Sequence, residues 1–524
     1  MKKKLFVTLL SAMLIAGCFT GCGGGDSNSG NSDSTALTIM DSEWYGIDTF
    51  QLDSSSGGQS LVSATLFEYD PDEQKVVDNV CTDWTVSEDG KQVTFNVPEG
   101  LVYSTGETVE PEDVKASIEH GLEVSPYKDG YDNIESIEVN DRQITLNLSS
   151  FSSDMEYYFT ADFICLIDKD ELDSMSNDEL MWESHPYGPY YLAEENGYVS
   201  GSEVNLVRHD DYKCFNPLVE NQGAWNFETI KCRFNVEDFT ETEEVKNGDA
   251  GLILSCTSDQ MLELQDDENV ELVNTSYPTV NYVEVNTNDS VFEDKAVREA
   301  FCLAIDRDAL AEAAEGSITP AYSIIIDTMQ SFSQEAKDYF QENYGYDPDK
   351  ANEILEEAGW VDSDGDGIRE KNGETLTFTF LGFNTSTVVP ETMVEQMRAV
   401  GFDMQIETLD WNYIHERVNS DDYDVGIAGL GWAEPLLIMN ICYYDKNAPG
   451  NDDEYRELVE ACASEPDPQK RVERVKDVQM YMFENLNIIP LYYDNTFTAV
   501  HNGITGLAVQ SDGTTLMNDM AYES

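Results

Sequence analysis

Residues 87–123 decide the fold of this chain, and they read SEDGKQVTFNVPEGLVYSTGETVEPEDVKASIEHGLE. Asp89-Gly90 predicts a turn, because glycine tolerates positive φ and aspartate bonds to its own backbone. The β-rich run Val93–Val97 predicts a strand. A polar loop around Tyr103 leads to Pro111, where a proline followed by two acidic residues predicts the first turn of a helix. The stretch is therefore a turn, a strand, an aromatic loop and a helix.

The amino-terminal residues have the pattern of a secretory signal peptide. A positive segment, Lys2–Lys4, precedes an apolar run that is too short to span a membrane with its own anchors. Cys18 follows Ile15-Ala16-Gly17 as the lipidated cysteine follows a bacterial lipobox, and Cys22 is the alternative site of lipidation. We therefore expect residues 1–22 to hold a lipoprotein signal peptide and lipobox.

Residues 23–36 are almost purely Gly, Ser, Asn and Asp. Such a segment cannot bury enough apolar surface to fold, so we expect a disordered tether. No later apolar run approaches the roughly 18 residues that span a bilayer. The sequence therefore predicts an exported protein, lipid-anchored at the outer face of the cytoplasmic membrane, in an extracellular or periplasmic space.

The chain has 524 residues and a formal net charge of −74 at pH 7. Its length exceeds the roughly 250–300 residues at which single cores divide, so we expect two or more lobes. The acidic surface repels nucleic acid and weakly favours cationic solutes, although a solvated, aggregation-resistant surface has the same composition. We therefore exclude nucleic acid as a partner, and the charge alone does not identify a ligand.

The sequence lacks the usual motifs of catalysis and of metal clusters. It has no HExxH, P-loop or GxSxG motif, and no GxGxxG in a βαβ context. The cysteines beyond residue 22 are scattered, without a CxxC or a paired Cys/His spacing. We therefore expect neither an enzyme nor a cofactor.

An acidic loop gives a weak metal candidate. Asp362, Asp364 and Asp366 have the spacing of the first ligands of a calcium loop, which also needs a glutamate at its twelfth position. Gly373 stands at that position, with Glu374 one residue late. A solvated turn is our default interpretation, and adventitious Ca²⁺ binding is the alternative.

Other segments have local patterns of strands and helices. Three are predicted as strands: Leu37–Met40, Asn281–Asn286 and Ile488–Tyr493. Four are predicted as helices: Ser60–Tyr69, Phe292–Glu312, a segment capped at Asp347-Pro348, and Pro466–Asn485.

Together these segments resemble family 5 of the ABC-transporter solute-binding proteins, the peptide/nickel/oligopeptide-binding family. The family reads G-x-x-[WF]-S-[DN]-G-x-P-x-x-A-x-D-V where this chain has Gly100–Val114, with Tyr103 at the aromatic position and Pro111 at the alanine. His185–Leu192 is similar to the family's N-P-V-G-T-G-P-Y-x-L element. Val297–Leu310 resembles its V-R-x-A-[LF]-x-x-A-I-D-R-x-x-L helix.

The resemblance implies an α/β fold that is two-lobed and periplasmic-binding-protein-like (type II). It also implies two crossover strands and an extra subdomain on lobe I. The implied bounds are 37–60, 186–281 and 493–524 for lobe I, 61–185 for the extra subdomain, and 282–492 for lobe II.

The resemblance also implies where a ligand binds. In peptide-binding relatives, the tryptophans that match Trp411 and Trp432 line the cleft, and the acid that matches Glu434 pairs with the peptide α-ammonium. Either tryptophan is equally compatible with a place in the core. Further wall candidates are Trp44, Tyr45 and Tyr492.

The implied function is capture of an oligopeptide-like solute between two lobes and its delivery to the permease of an ABC importer. The implied protein is a monomeric lipoprotein whose partners are the solute, the permease subunits and, through its lipid anchor, the membrane. An oligosaccharide or a nickel or other metal chelate as the solute, and a peptide-signal receptor without transport, are the alternatives.

Overall fold

The structure is a computed structural model. It describes residues 35–52, 57–126, 128, 132–161, 164–276, 279–288, 290–329, 331–383, 387–431, 435–441 and 452–523. The predictions for the signal peptide, Cys18, Cys22 and nearly all of the tether, and those for Trp432 and Glu434, lie outside the described residues.

An eight-stranded sheet forms the centre of the first lobe. In order across the sheet its strands are Val270–Asn274, Phe497–His501, Leu252–Ile253, Ala36–Met40, Thr229–Arg233, Glu203–Arg208 and Tyr190–Leu192, with Tyr198–Val199 beside Glu203–Arg208. The predicted first strand is confirmed as Ala36–Met40, and it runs parallel to both of its neighbours.

A six-stranded sheet forms the centre of the second lobe. Its strands, in order, are Ile318–Pro320, Ile488–Asp494, Thr279–Val285, Val425–Gly431, Thr377–Phe383 and Asp403–Leu409. The two central antiparallel strands, Thr279–Val285 and Ile488–Asp494, confirm the predicted strands. The chain crosses between the sheets twice, from Asn274 to Thr279 and from Asp494 to Phe497. The fold is therefore two-lobed α/β with two crossovers, as predicted, while the lobe bounds stay a prediction.

The signature stretch forms part of a separate four-stranded antiparallel sheet. Its strands, in order, are Thr82–Val86, Gln92–Asn96, Gln143–Leu148 and Ile134–Asn140. The helix predicted at Pro111 is confirmed as Pro111–Val124, with proline at its first turn and a capping box between Glu110 and Asp113. Arg142 holds the loop between strand and helix, because its guanidinium donates to the carbonyl oxygens of Val97, Pro98 and Val109.

The helix predicted over Ser60–Tyr69 is wrong. The chain forms a single 3₁₀ turn, Gln59–Leu61, and later the strand Phe67–Asp70, which pairs with Lys75–Asp78. Backbone groups of this segment bond to distant parts of the chain, since Ala64 N–H donates to Tyr187 O (2.9 Å) and Leu66 O accepts from Cys81 N–H (2.9 Å). The apolar run is buried by its surroundings on several sides. The spacing of its apolar residues therefore results from this burial and does not mark one face of a helix.

The predicted helix over Phe292–Glu312 is interrupted. A 3₁₀ turn, Val291–Glu293, precedes two helices, Lys295–Ala304 and Arg307–Ala313. Asp306 caps the second helix by accepting from Ala309 N–H, which explains the break. The helix predicted at Asp347-Pro348 is confirmed as Pro348–Glu357, and the one predicted over Pro466–Asn485 is confirmed as Pro468–Asn485.

The remaining regular elements are shorter. The other helices are Thr49–Gln51 (3₁₀), Asp154–Thr160, Lys169–Ser174, Asn177–Glu183, Asp238–Asn247, Ser258–Leu264, Gln334–Tyr344, Val388–Ala399, Trp411–Asn419, Pro435–Ile441 and Asp453–Ala463. Two-stranded ribbons are Glu370–Lys371 with Glu374–Thr375, Ile504–Thr505 with Ala521–Tyr522, and Ala508–Val509 with Thr515–Leu516. In the described part of the chain, no helix is both long and apolar enough to cross a membrane.

The helix Pro468–Asn485 joins the cores of the two lobes. Its Val475 belongs to the core that contains the first sheet, whereas its Phe483 belongs to the core of the second sheet. Tyr455 and Val459, on the preceding helix, also pack in the first of these cores. The lobes therefore share a packed interface in this structure.

Candidate functional site

The strands of the six-stranded sheet bring several chain segments to one edge. Thr377–Phe383 runs parallel to both Asp403–Leu409 and Val425–Gly431, so these three strands end on the same side of the sheet. Gly431 pairs with Thr279, which places the start of the first crossover strand at that side too. Loops at the carboxyl ends of parallel strands are where open α/β sheets bind ligands.

The first sheet presents its corresponding edge to the same junction. The strands Ala36–Met40, Thr229–Arg233 and Leu252–Ile253 are parallel, and all three end on the side where the chain leaves for the second lobe. That side is fixed because Asn274, the last residue before the first crossover, pairs with Phe497, the first residue after the second. The carboxyl ends of both sheets therefore face the crossovers, where a cleft between lobes is expected.

Trp44 and Tyr45, just after the first strand, lie at this junction with opposite exposures. Trp44 is 1% exposed, and its indole Nε1 donates to Asp41 Oδ2 at 2.8 Å. The same oxygen accepts from Gly58 N–H at 3.2 Å. A Cβ at Gly58 would lie 2.3 Å from that oxygen, so the glycine allows this close approach. Tyr45 is 65% exposed. Trp44 is therefore buried and hydrogen-bonded, whereas Tyr45 is exposed to solvent.

Two further predicted wall residues, Trp411 and Trp432, follow strands of the second sheet along the chain. Trp411 is the first residue of the helix Trp411–Asn419, directly after Asp410, whose carboxylate caps that helix by accepting from Tyr413 N–H. Trp432 follows the last residue of its strand along the chain, and it lies outside the described residues. The strands Asp403–Leu409 and Val425–Gly431, which precede the two tryptophans in the chain, end on the same side of the sheet.

Tyr492 lies beside a polar pair that the sequence analysis missed. Tyr492 is 6% exposed and packs in the core of the second lobe. Asn281 Nδ2 donates to Asp494 Oδ2 at 2.8 Å, across the two crossover strands. Burial raises the pKa of the Asp494 carboxyl, and the Asn281 amide opposes that rise. The period-2 pattern of the predicted strands could have shown that Tyr492 and Asp494 share a face, but only the pairing register adds Asn281.

The aromatic residue of the signature loop does not lie at the crossovers. Tyr103 is buried and packs edge-to-face against Tyr187, with ring centroids 6.0 Å apart. Tyr187 in turn donates from its hydroxyl to Lys213 O at 2.7 Å. The signature loop therefore fixes the packing of the four-stranded sheet onto the first lobe.

The acidic loop has the geometry of a hydrogen-bonded turn. The carboxylate oxygens of Asp362, Asp364 and Asp366 lie within 4.8 Å of one another, and all three residues are exposed. Asp362 accepts from the backbone amides of Gly365 (2.7 Å) and Gly367 (3.0 Å). The loop's own amides therefore hold the Asp362 carboxylate in the turn.

A small polar cavity of about 60 Å³ lies away from the crossovers, among Ser63, Glu68, Trp225 and Asn518. Ligand pockets have volumes of roughly 300–1,000 Å³, so this cavity suits a few water molecules and is too small for a peptide.

Comparison with known proteins agrees with this architecture. Residues 75–450 match the family described as bacterial extracellular solute-binding proteins, family 5 Middle. The match spans more than half of the chain, and the chain belongs to this family. It is therefore an extracellular solute-binding protein of the ABC-transporter type, which binds a peptide or small solute for a permease, and it is not an enzyme.

Two relatives illustrate the range of solutes in the family. The oligopeptide-binding protein AppA of Bacillus subtilis is 23% identical over 338 residues, which cover 61% of this chain and 58% of AppA. Its structure with a bound nonapeptide superposes with a TM-score of 0.67 at 17% identity, covering 93% of this chain and 99% of AppA. The heme-binding protein A of Haemophilus influenzae is 23% identical over 464 residues, covering 81% of this chain and 80% of the relative.

The structure of the substrate-binding protein CtaP of Listeria monocytogenes superposes with a TM-score of 0.77 at 19% identity, covering 93% of this chain and 99% of CtaP. These likenesses show the fold. They do not indicate which solute this protein binds.

Proposed function

We propose that this protein is a lipid-anchored, monomeric receptor that captures an oligopeptide-like solute between its lobes and delivers it to an ABC importer. The observation that carries the proposal is the meeting of both sheets' carboxyl ends at the crossovers, with Tyr45 exposed there. Large flat side chains suit a cleft that accepts varied peptide side chains. The similarity to AppA, which is an oligopeptide-binding protein, supports a peptide as the solute.

The proposed wall consists of Tyr45, Trp411 and Trp432, with Trp44 and Tyr492 as supports behind it. Along the chain, Trp411 follows the strand Asp403–Leu409 and Trp432 follows Val425–Gly431, and these two strands flank Thr377–Phe383 in the six-stranded sheet. A peptide lying along that edge would pass the ends of all three strands. Glu434, two residues beyond Trp432, would accept hydrogen bonds from the peptide α-ammonium. Binding would close the lobes by a change in the short connections between the sheets.

The lipid anchor would be attached at Cys18, with Cys22 as the alternative. The Gly- and Ser-rich residues 23–36 would act as a flexible tether of roughly 20 Å, which lifts the globule off the membrane surface. The first described strand begins at Ala36, so the tether leads directly into the first lobe.

Thermal-shift and calorimetric titration of the purified protein test the choice of solute. The probes are peptide mixtures of two to nine residues, oligosaccharides, haem, and nickel chelates. A saturable rise in melting temperature with peptides alone supports the proposal, because a ligand that binds only the folded state stabilises it by mass action. Saturable binding of haem, a nickel chelate or an oligosaccharide, without a response to peptides, would contradict the proposal of a peptide and would identify that compound's class as the solute. A peptide response without reduced uptake in a deletion strain would indicate a signal receptor instead.

A further inference from the structure

A polar pair lies at the crossovers on one face of the six-stranded sheet, where Asn281 is 5% exposed and Asp494 is partly exposed. Asn281 pairs with Gly429 on one neighbouring strand and with Tyr492 on the other. Directly paired residues and alternate residues share a face, so Asp494 lies on this face as well. The hydrogen bond from Asn281 Nδ2 to Asp494 Oδ2 confirms this arrangement.

Glycines keep the neighbouring strand open beside this pair. A Cβ at Gly429 would lie 2.6 Å from Asn281 Oδ1, and a Cβ at Gly431 would lie 2.9 Å from Thr279 Oγ1. The Asn281 side chain therefore leans over Gly429, and its orientation depends on that glycine. Its amide Nδ2 holds one oxygen of the Asp494 carboxylate in place.

The electrostatic surroundings of Asp494 are unusual for a carboxylate in this position. In the described part of the chain, the influences on it are its own burial and the Asn281 amide, with no cationic side chain among them. Burial raises its pKa, which means that the ionised form lacks the solvation it would have in water. A half-buried carboxylate that is held by one neutral amide gains strongly from an added cation.

We propose that Asp494 is a specificity-determining residue, whose carboxylate accepts hydrogen bonds from an ammonium or guanidinium group of the solute. The proposal rests on the proposed function, since it takes the crossover edge of the sheet as the solute site. It assigns a second anchor, in addition to Glu434, and it implies that the solute is a peptide with a basic side chain. The α-ammonium group is the other source of the same chemistry.

The test compares wild type with Asp494→Asn in calorimetric titrations with two peptide series. In the first series, N-acetylated peptides carry either lysine or uncharged, similarly shaped norleucine at each position in turn. In the second series, norleucine peptides have a free amine. Asp266→Asn, which removes one exposed carboxylate in the first lobe, controls for the change in net charge. Melting temperatures of both variants monitor folding.

We expect wild type to prefer one acetylated lysine peptide over its norleucine counterpart. Asp494→Asn should weaken binding of that peptide by roughly 30-fold or more, because removing one partner of a desolvated charged pair typically costs about 2 kcal/mol at least. It should leave the norleucine peptide unchanged, and its melting temperature should stay the same or rise. Asp266→Asn should change neither affinity. A loss confined to the free-amine series would support the proposal with the α-ammonium as the cation.

Two results would overturn the inference alone. One is equal affinity of wild type and Asp494→Asn for every peptide that binds. The other is an equal loss for charged and uncharged peptides with a lower melting temperature, which would assign Asp494 to pinning the crossover strands. If wild type binds no peptide at all, the proposed function falls together with the inference.

Discussion

Arg471, near the start of the helix Pro468–Asn485, pairs with Glu156 on the helix Asp154–Thr160. Its Nη1 lies 3.4 Å from Glu156 Oε2, with the arginine side chain 3% exposed and the glutamate 17% exposed. Its Nε donates to Glu465 O at 3.1 Å, and its guanidinium lies 5.6 Å from the centroid of the Phe151 ring. A neighbouring backbone hydrogen bond, from Ser153 N–H to Ala463 O at 3.2 Å, reinforces the contact.

Breaking this ion pair should destabilise the protein. Glu156→Gln leaves the buried guanidinium without its carboxylate partner, and breaking a buried pair costs about 3–5 kcal/mol. The 3.4 Å separation is long for a charge-assisted bond, so we expect a loss near 3 kcal/mol. The m-values of small proteins are roughly 1–3 kcal/mol per molar urea and increase with size, so in this longer chain the unfolding midpoint should fall by about 0.5–1 M.

Arg471→Met should show a different dependence on pH. Burial already raises the pKa of Glu156 and Arg471 lowers it, so without the arginine the pKa rises further. The unpaired glutamate can then take up a proton, and the stability lost at pH 7.5 should be partly recovered at pH 5. Glu156→Gln cannot recover in this way, because glutamine does not titrate.

A double-mutant cycle measures the interaction free energy between Glu156 and Arg471. Unfolding in urea is followed by tryptophan fluorescence. The double variant Glu156→Gln/Arg471→Met should lose less than the two single variants combined, since no uncompensated charge is left. Glu119→Gln, which breaks the exposed pair with Lys115 at 3.8 Å, should leave the midpoint nearly unchanged. Additive losses, or single losses no larger than that of Glu119→Gln, would refute the reasoning.

Three further predictions concern the anchors and the response to pH. Glu434→Gln should weaken binding of a free-amine peptide by roughly 30-fold or more and of its N-acetylated form less, by calorimetry; equal losses would show that Glu434 does not hold the α-ammonium. Cys18→Ala should release the protein from membranes or leave it unprocessed, by fractionation and blotting; membrane association that survives this change but not Cys22→Ala would assign the anchor to Cys22. Thermal stability should be higher near pH 5.5 than at pH 8, by scanning fluorimetry. Burial raises the pKa of Asp512 and Glu241, and the stability from raised acidic pKa values is present at low pH and lost as the pH rises through them. A melting temperature that rises steadily to pH 8 would contradict this expectation.

Elements with local signals could be predicted from the sequence. The helix Pro348–Glu357 begins at a proline after a capping aspartate, and its cap forms as expected, with Asp347 accepting from Lys350 N–H at 2.9 Å. The crossover strand Asn281–Asn286 alternates in sequence, Ile488–Tyr493 resembles the family's return crossover, and both form. Ser60–Tyr69 failed because its backbone partners, Tyr187 and Cys81, come from other parts of the chain. A helical period within one segment cannot report such contacts.

The candidate site could be located by sequence but not resolved into roles. Trp44 and Tyr45 are neighbours of similar chemistry, yet one is buried and the other exposed. What separates them is the contact of Trp44 with Asp41, a contact set by how the chain turns after the first strand. Asn281 and Asp494 are 213 residues apart in the chain, and only the register of the two crossover strands joins them.

The acidic surface and the proposed Asp494 anchor act over different distances. The surface charge affects how fast basic solutes meet the protein, whereas the anchor affects which of them it binds. The net charge of −74 attracts any cation, but exposed charges are screened beyond roughly 8 Å at physiological ionic strength. Such a field raises the rate of encounter for all basic solutes alike and cannot distinguish where in a peptide the positive charge lies. A half-buried carboxylate is screened less, and the Asn281 amide fixes its position on the sheet. If the solute is a basic peptide, a preference of the protein for lysine at one peptide position must therefore come from Asp494 or a similarly held group. The charge of the surface cannot produce such a preference.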